Sequence, residues 1–144
     1  MTDALTYLTE HHVMTLATQG KGGPWAAAVF YVNDGYTLFF VSSPKSRHAL
    51  DMASYPRVAA TVQEDYADWT QIRGVQLEGV VRELTGTEAS HARELYAAKF
   101  AVTAQPPPQM VAALAKAHWY QLVPERLHFV DNTVAFGHRA EVQL

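Results

Sequence analysis

Apolar positions along the chain fall first into a helical spacing and then into a series of strand-length runs. Leu5 and Leu8 lie three apart behind Thr2, a residue suited to capping, which predicts a short helix ending near His11 and His12. Both histidines sit where the helix dipole favours positive charge. VMTLAT at 13–18 reads as a β-strand, and Gln19 to Gly23 as a hairpin loop too rich in glycine to continue it. Trp25 to Asn33 and Tyr36 to Ser42 make the next two strands, with the hairpin signal Asn33-Asp34-Gly35 between them.

Ser43-Pro44 is then expected to open a short helix with Ala49, Leu50, Met52 and Ala53 on its inner face, ended by Pro56. Residues 57–63 and 70–84 are strands, and Gly74 and Gly79 in the second mark places where bulges turn a barrel corner. Thr85 with Glu88 predicts a capping box for a helix through Phe100, and a further helix follows the Pro106-Pro107-Pro108 break, from about Gln109 to Ala117. Strands at 118–123 and 126–130 complete a mainly β (α+β) chain whose sheet is closed or nearly so.

Composition narrows the function classes. At 144 residues without internal repeats, the chain is expected to be one domain spanning 1–144, and its 49% apolar content suffices for a core. A formal charge of -3, with acids and bases mixed, gives no broad field for nucleic acid, so any anion site must be local. The absence of cysteine excludes disulfides, thiolate metal sites and a cysteine nucleophile. Neither a signal peptide nor a membrane-spanning run is read in the sequence, and a soluble, cytoplasmic protein is expected.

Chemistry concentrates in SSPKSRHAL at 42–50, between a strand end and a helix start. Open backbone N–H groups there favour an anion, which Arg47 would grip as a fork, Lys45 as a point charge, and Ser42, Ser43 or Ser46 through hydroxyl groups. The alternative is a capped helix start with ordinary surface charges. Seven histidines raise the question of a metal or haem; their scatter speaks against zinc, so no metal site is assigned, while His48 or His128 could serve a haem as axial ligand. Gly20, Gly22 and Gly23 lead into a strand and make no dinucleotide fingerprint.

FVSSPKSRHALDMASYPRVAATV from Phe40, followed by IRGVQLEGVVREL, resembles the cofactor-binding half of the pyridoxamine-phosphate-oxidase-like flavin proteins. Ser46 and Arg47 match the family's serine-arginine-lysine triplet, with His48 in place of the lysine, and Pro56-Arg57-Val58 matches its next strand start. The resemblance implies an antiparallel split β-barrel of six to seven strands with a few peripheral helices, working as a homodimer. FMN would lie between the subunits, with the apolar outer barrel face as the interface. It places the phosphate-contacting strand hydroxyl on Ser42 and an aromatic reaching the flavin from the partner subunit on Trp119.

Phe30 and Tyr31 are candidates to wall the flavin ring or, alternatively, members of the barrel core; Gln76 is a candidate for the flavin pyrimidine edge or a solvent-facing glutamine. Two departures argue against the vitamin oxidase activity itself. The family's basic residues on the second strand are replaced by the apolar stretch from Ala26 to Tyr31, and its arginine-leucine-histidine ending by TVAFGHRAEVQL. What remains is an FMN-dependent oxidoreductase acting on an unassigned small molecule, with no catalytic residue named. Its rivals are a deazaflavin enzyme and a non-catalytic, stress-related carrier of flavin or haem.

Overall fold

The structure, a computed structural model, describes residues 2–144. Its elements in chain order are α1 (Ala4–Glu10), β1 (Val13–Gly20), β2 (Gly23–Asp34), β3 (Thr37–Ser42), α2 (Arg47–Ser54), β4 (Arg57–Gln63), β5 (Arg73–Leu84), α3 (Gly86–Lys99), α4 (Pro108–Lys116), β6 (His118–Asp131) and β7 (Arg139–Glu141). Short 3-10 turns occupy Trp69–Gln71 and Ala101–Thr103. No helix among the described residues is long and apolar enough to cross a membrane.

All strand pairs are antiparallel, in the order β3-β2-β1-β4-β5-β6-β7, and β3 also pairs with β6. That last pairing, from Leu38 opposite Leu122 to Ser42 opposite His118, closes six strands into a barrel with β7 as an added edge. Strict alternation drives the closure: Val58, Ala60 and Val62 of β4 face inward while Arg57, Ala59, Thr61 and Gln63 face out. Inside, Met14, Leu16, Tyr31, Phe40, Leu122 and Leu127 are almost wholly removed from water. β3 departs from alternation, with Leu38, Phe39 and Phe40 all buried. Its outer side is covered by α3, whose Ala92 and Tyr96 pack with Phe39 and Trp119 in a second apolar cluster.

Several boundaries differ from the sequence reading for local reasons. Asp3 caps α1, accepting from the Thr6 N–H at 2.8 Å, where Thr2 was expected. β1 continues through Gln19 and Gly20, because the turn needs only Lys21 and Gly22 once Gly23 takes φ +93°. The expected capping box on α3 is absent: Thr85 makes no side-chain cap, and Glu88 pairs with Arg82 through two bonds of 3.0 and 2.7 Å. α2 starts at Arg47 under a Ser46 cap, and it turns Ala49, Asp51 and Met52 inward while Leu50 and Ala53 stay exposed. The two strands expected at 118–130 are one, β6, which runs through Pro124; β7 was not foreseen.

Continuity of β6 through a proline depends on a bulge. Glu78 pairs with Arg126 and Gly79 with Pro124, leaving Glu125 unopposed. A Cβ on Gly79 would sit 2.2 Å from the Val123 carbonyl oxygen, a backbone atom that cannot step aside. Gly74 carries no register shift; it lies close to the Val62 carbonyl of the neighbouring strand, which a Cβ would meet at 2.9 Å.

α2 crosses the barrel end formed by the β1–β2 turn. Thr18 donates to the buried Asp51 carboxylate at 2.9 Å, and the other carboxylate oxygen presses on Gly20, where a Cβ would come within 2.1 Å. At the opposite end, the Lys99 amine donates to the His11 carbonyl and lies 4.4 Å over the Tyr31 ring, tying α3 to the start of β1; burial brings its pKa down to about 8.

Gly79→Ala is expected to lower stability by roughly 2 kcal/mol or more, read from the urea midpoint, because the bulge must open to admit the methyl group. Thr18→Val should cost about 1–3 kcal/mol by leaving the buried Asp51 oxygen without its donor, and should leave α3 as protected from hydrogen exchange as before.

Candidate functional site

The residues gathered by the 42–50 segment divide into two groups on either side of the α2 N-terminus. In the first, the Ser42 hydroxyl lies 2.7 Å from His48 Nε2 and the Ser46 hydroxyl 3.3 Å from the same atom. Ser46 Oγ also accepts from the Ala49 N–H at 3.3 Å and donates to the Ser43 carbonyl at 2.8 Å, while Ser43 Oγ accepts from the Lys45 N–H at 3.2 Å. Burial holds the His48 imidazole below its ordinary pKa, and the nearby Asp51 carboxylate opposes this more weakly. The balance favours the neutral imidazole more than in a free histidine.

The second group faces the β1–β2 turn. Arg47 lays its guanidinium 4.3 Å over the Trp25 ring and donates to the Gly22 carbonyl at 3.1 Å. Gly22 leaves room for this approach, since a Cβ there would stand 3.0 Å from the guanidinium. The arginine is thus held at a fixed angle with most of its five donors unspent. It shares with Lys21, Lys45 and Tyr55 a cleft of about 500 Å³, floored by Asp51 and Gly20. The backbone N–H groups of Arg47 and His48, first in the helix, meet no protein acceptor among the described residues.

On the other flank of α2 lies an apolar cleft of about 290 Å³ between the helix and strands β5 and β6. Its rim carries Glu83 and His118, paired at 2.6 Å. Leu50, 60% exposed, lines both clefts.

Four candidates from the sequence lie elsewhere. Tyr31 is fully buried in the barrel, its hydroxyl donating to the Leu8 carbonyl at 2.6 Å, so its ring belongs to the core and lines no cleft. Phe30, on the outer side of β2, is 56% exposed but sits at the far end of the barrel, edge-on to Phe100. Gln76 is exposed on the outer face beside Arg126 and His128. Trp119 is buried in its own chain beneath α3, edge-on to Tyr96 with Arg93 5.7 Å away, because its β6 position points outward under the helix and not toward open solvent. Sequence reasoning missed Trp25, which pairs with the inward Thr18 and carries Arg47, and Asp51, which it left unassigned on the helix. Only the helical spacing from Ser46 to Asp51 and the bare Gly20 and Gly22 hinted at them.

Comparison with known proteins bears on this arrangement. The sequence profile of the family described as pyridoxamine 5'-phosphate oxidase matches residues 1–131. The UPF0306 protein YhbP of Salmonella schwarzengrund is 33% identical over 133 residues, covering 91% of this chain and 84% of that protein; a UPF0306 protein of Citrobacter koseri is 32% identical over the same length, with 85% of it covered.

Among solved structures, a haem-binding protein from Mycobacterium smegmatis superposes with a TM-score of 0.78 at 21% identity, covering 99% of this chain and 59% of that one. HutZ, the haem storage protein of Vibrio cholerae, gives 0.72 at 18%, covering 84% and 87%. An FAD-binding protein from Mesorhizobium loti gives 0.68 at 21%, covering 99% and 96%. These structural likenesses establish the split-barrel fold, and the profile match together with the UPF0306 relatives establishes descent: the chain belongs to the pyridoxamine 5'-phosphate oxidase family.

Proposed function

We propose that this protein binds FMN between the subunits of a homodimer and acts as a flavin-dependent oxidoreductase on a small molecule. One observation carries the reading: the Arg47 guanidinium is pinned over Trp25 at the mouth of a cleft that Lys45 also lines, beside two open N–H groups of α2. Such an arrangement suits the phosphate of a mononucleotide, because charge, fork geometry and backbone dipoles converge before the ligand arrives. The Ser43 hydroxyl and the Ser42–His48 pair add polar contacts on the inner side.

The flavin, when bound, supplies the hydride or electron transfer. This chain's residues hold its anionic tail, and a second copy laid on the outer barrel face keeps water from the ring. No cation faces outward from Ala26, Ala28 or Phe30 of β2, where the resemblance places the family's basic residues for the cofactor, and the ending TVAFGHRAEVQL lacks the arginine-leucine-histidine grip on a substrate phosphate; both departures argue against the vitamin oxidase activity. A deazaflavin would bring a longer acidic tail, for which Lys21 is the one further cation in the cleft.

Haem carriage is the second reading, favoured by the haem-binding structural neighbours. His48 serves it poorly, since its Nε2 already lies 2.7 Å from the Ser42 hydroxyl; His128, on the outer face beside Gln76, is the better-placed ligand. The absorption spectrum of freshly isolated protein, with mass analysis of what it releases, separates the two cofactors. Reduction of bound flavin by a nicotinamide donor, followed by reoxidation, separates an enzyme from a carrier.

Arg47→Ala is expected to weaken FMN binding about tenfold or more, roughly 1.4 kcal/mol, in a fluorescence titration. Unchanged affinity in the Arg47→Ala, Lys45→Ala double variant overturns the phosphate site. A pH series tests His48. Because its folded pKa lies below the ordinary 6.5, the free protein loses stability as pH falls from 6.5 through the lowered value. A bound phosphate favours the imidazolium, so FMN affinity relative to His48→Gln should rise over that same acidic window.

A further inference from the structure

At the end of the barrel away from α2, beside the start of α1, lies a cleft that neither cofactor reading uses and that shares no lining residue with the two clefts flanking α2. Ala4, Phe129, Val134, Ala140 and Val142 wall it, together with Tyr36, and its volume of about 330 Å³ suits a small organic molecule. The walls are set before any ligand arrives. The Asp131 N–H donates to the His138 carbonyl at 2.9 Å and the Val142 N–H to the Leu127 carbonyl at 2.9 Å, which ties the last loop and β7 to β6.

A carboxylate opens into this apolar space. Asp131 is only 3% exposed, and it lines the cleft. Its Oδ1 accepts from the Thr133 N–H at 2.9 Å and from the Thr133 hydroxyl at 2.5 Å, whereas Oδ2 takes no hydrogen bond among the described residues. Arg73 stands opposite Asp131 in the β5–β6 register, yet the two make no ion pair, and the buried Arg73 Nε has no acceptor of its own. The turn at 131–133 has no need of the charge, since an asparagine carbonyl would accept both Thr133 bonds equally well. A carboxylate that is almost wholly buried, with one bare oxygen, is costly unless a donor from outside the chain completes it.

The other polar groups define the charge of that donor. Asp3 brings a second carboxylate to the cleft, its Oδ1 occupied by the α1 cap. Burial first, and then the Asp3 carboxylate, hold the Tyr36 hydroxyl above its ordinary pKa, so Tyr36 adds no charge. No lysine or arginine lines the cleft, and His138 alone among its residues can carry positive charge. A positively charged nitrogen with N–H groups meets the bare oxygen, and an apolar or flat body meets the Phe129 and Tyr36 rings. We propose that this cleft is a second ligand site, separate from the cofactor pocket, that takes a small organic cation: a primary ammonium on a hydrocarbon or aromatic body, held by Asp131 with Asp3 beside it.

Phenethylamine is the probe, with phenethyl alcohol as its neutral counterpart and hydrocinnamate as the anionic one, each titrated into the full chain and followed by amide chemical shifts. The amine should bind, shifting the backbone amides of residues 138–142, and the alcohol and the anion should bind at least tenfold more weakly. Asp131→Asn keeps the acceptor for Thr133, so its melting temperature should hold while amine affinity falls about tenfold or more. Ala140→Phe, on the exposed edge strand, should fill the cleft and abolish binding; it decides the matter if Asp131→Asn fails to fold. Arg47→Ala should bind the amine as the wild type does, which keeps this result apart from the fate of the flavin reading. The proposal is overturned if the wild type takes up no amine at millimolar concentration, if the alcohol binds equally well, if the shifts gather at α2, or if either cleft variant binds like wild type.

Discussion

The seating of α2 across the end of the barrel is the constraint on which the site depends. One buried carboxylate fixes it, with Thr18 donating to one oxygen of Asp51 and the bare backbone of Gly20 accommodating the other. A side chain on Gly20 would collide with the Asp51 carboxylate and so disturb the contact that seats the helix. Barrel closure sets the other boundary. Pairing of β3 with β6 ends at Ser42 opposite His118, so the chain leaves the sheet at the point where the cap must form. Fold and site are therefore joined through a few contacts at one rim.

Much of the fold was legible because alternation is a local signal. β4 falls on the run 57–63 without adjustment, and the hairpin after Asn33 turns at Gly35, whose φ of +57° needs a glycine. The errors arose where a tertiary contact overrode a local preference. Pro124 reads as a strand break, yet the bulge opposite Gly79 carries the strand past it. Glu88 sits at the spacing of a capping box, yet Arg82 on the neighbouring strand offers a two-bond ion pair. β7 is held by pairing to β6 over only three residues and left no periodic trace of its own.

The site was legible in its serine and basic residues and illegible in its geometry. Spacing alone could not reveal that Arg47 and His48, adjacent in sequence, turn to opposite flanks of one helix turn, one to a tryptophan face and the other to a strand hydroxyl. Aromatic residues misled most, because burial depends on what covers a strand's outer side. Trp119 lies under α3, while Trp69, in a loop with no periodicity, stays in water.

Leu50 gives the arrangement a further property. Its side chain stands as a low partition between the cationic cleft and the apolar one, touching the lining of each while remaining mostly in solvent. The width open to a guest at this boundary therefore depends in part on a residue that contributes little to the core. Shortening it would lower the wall between the two chambers while leaving the packing beneath nearly untouched.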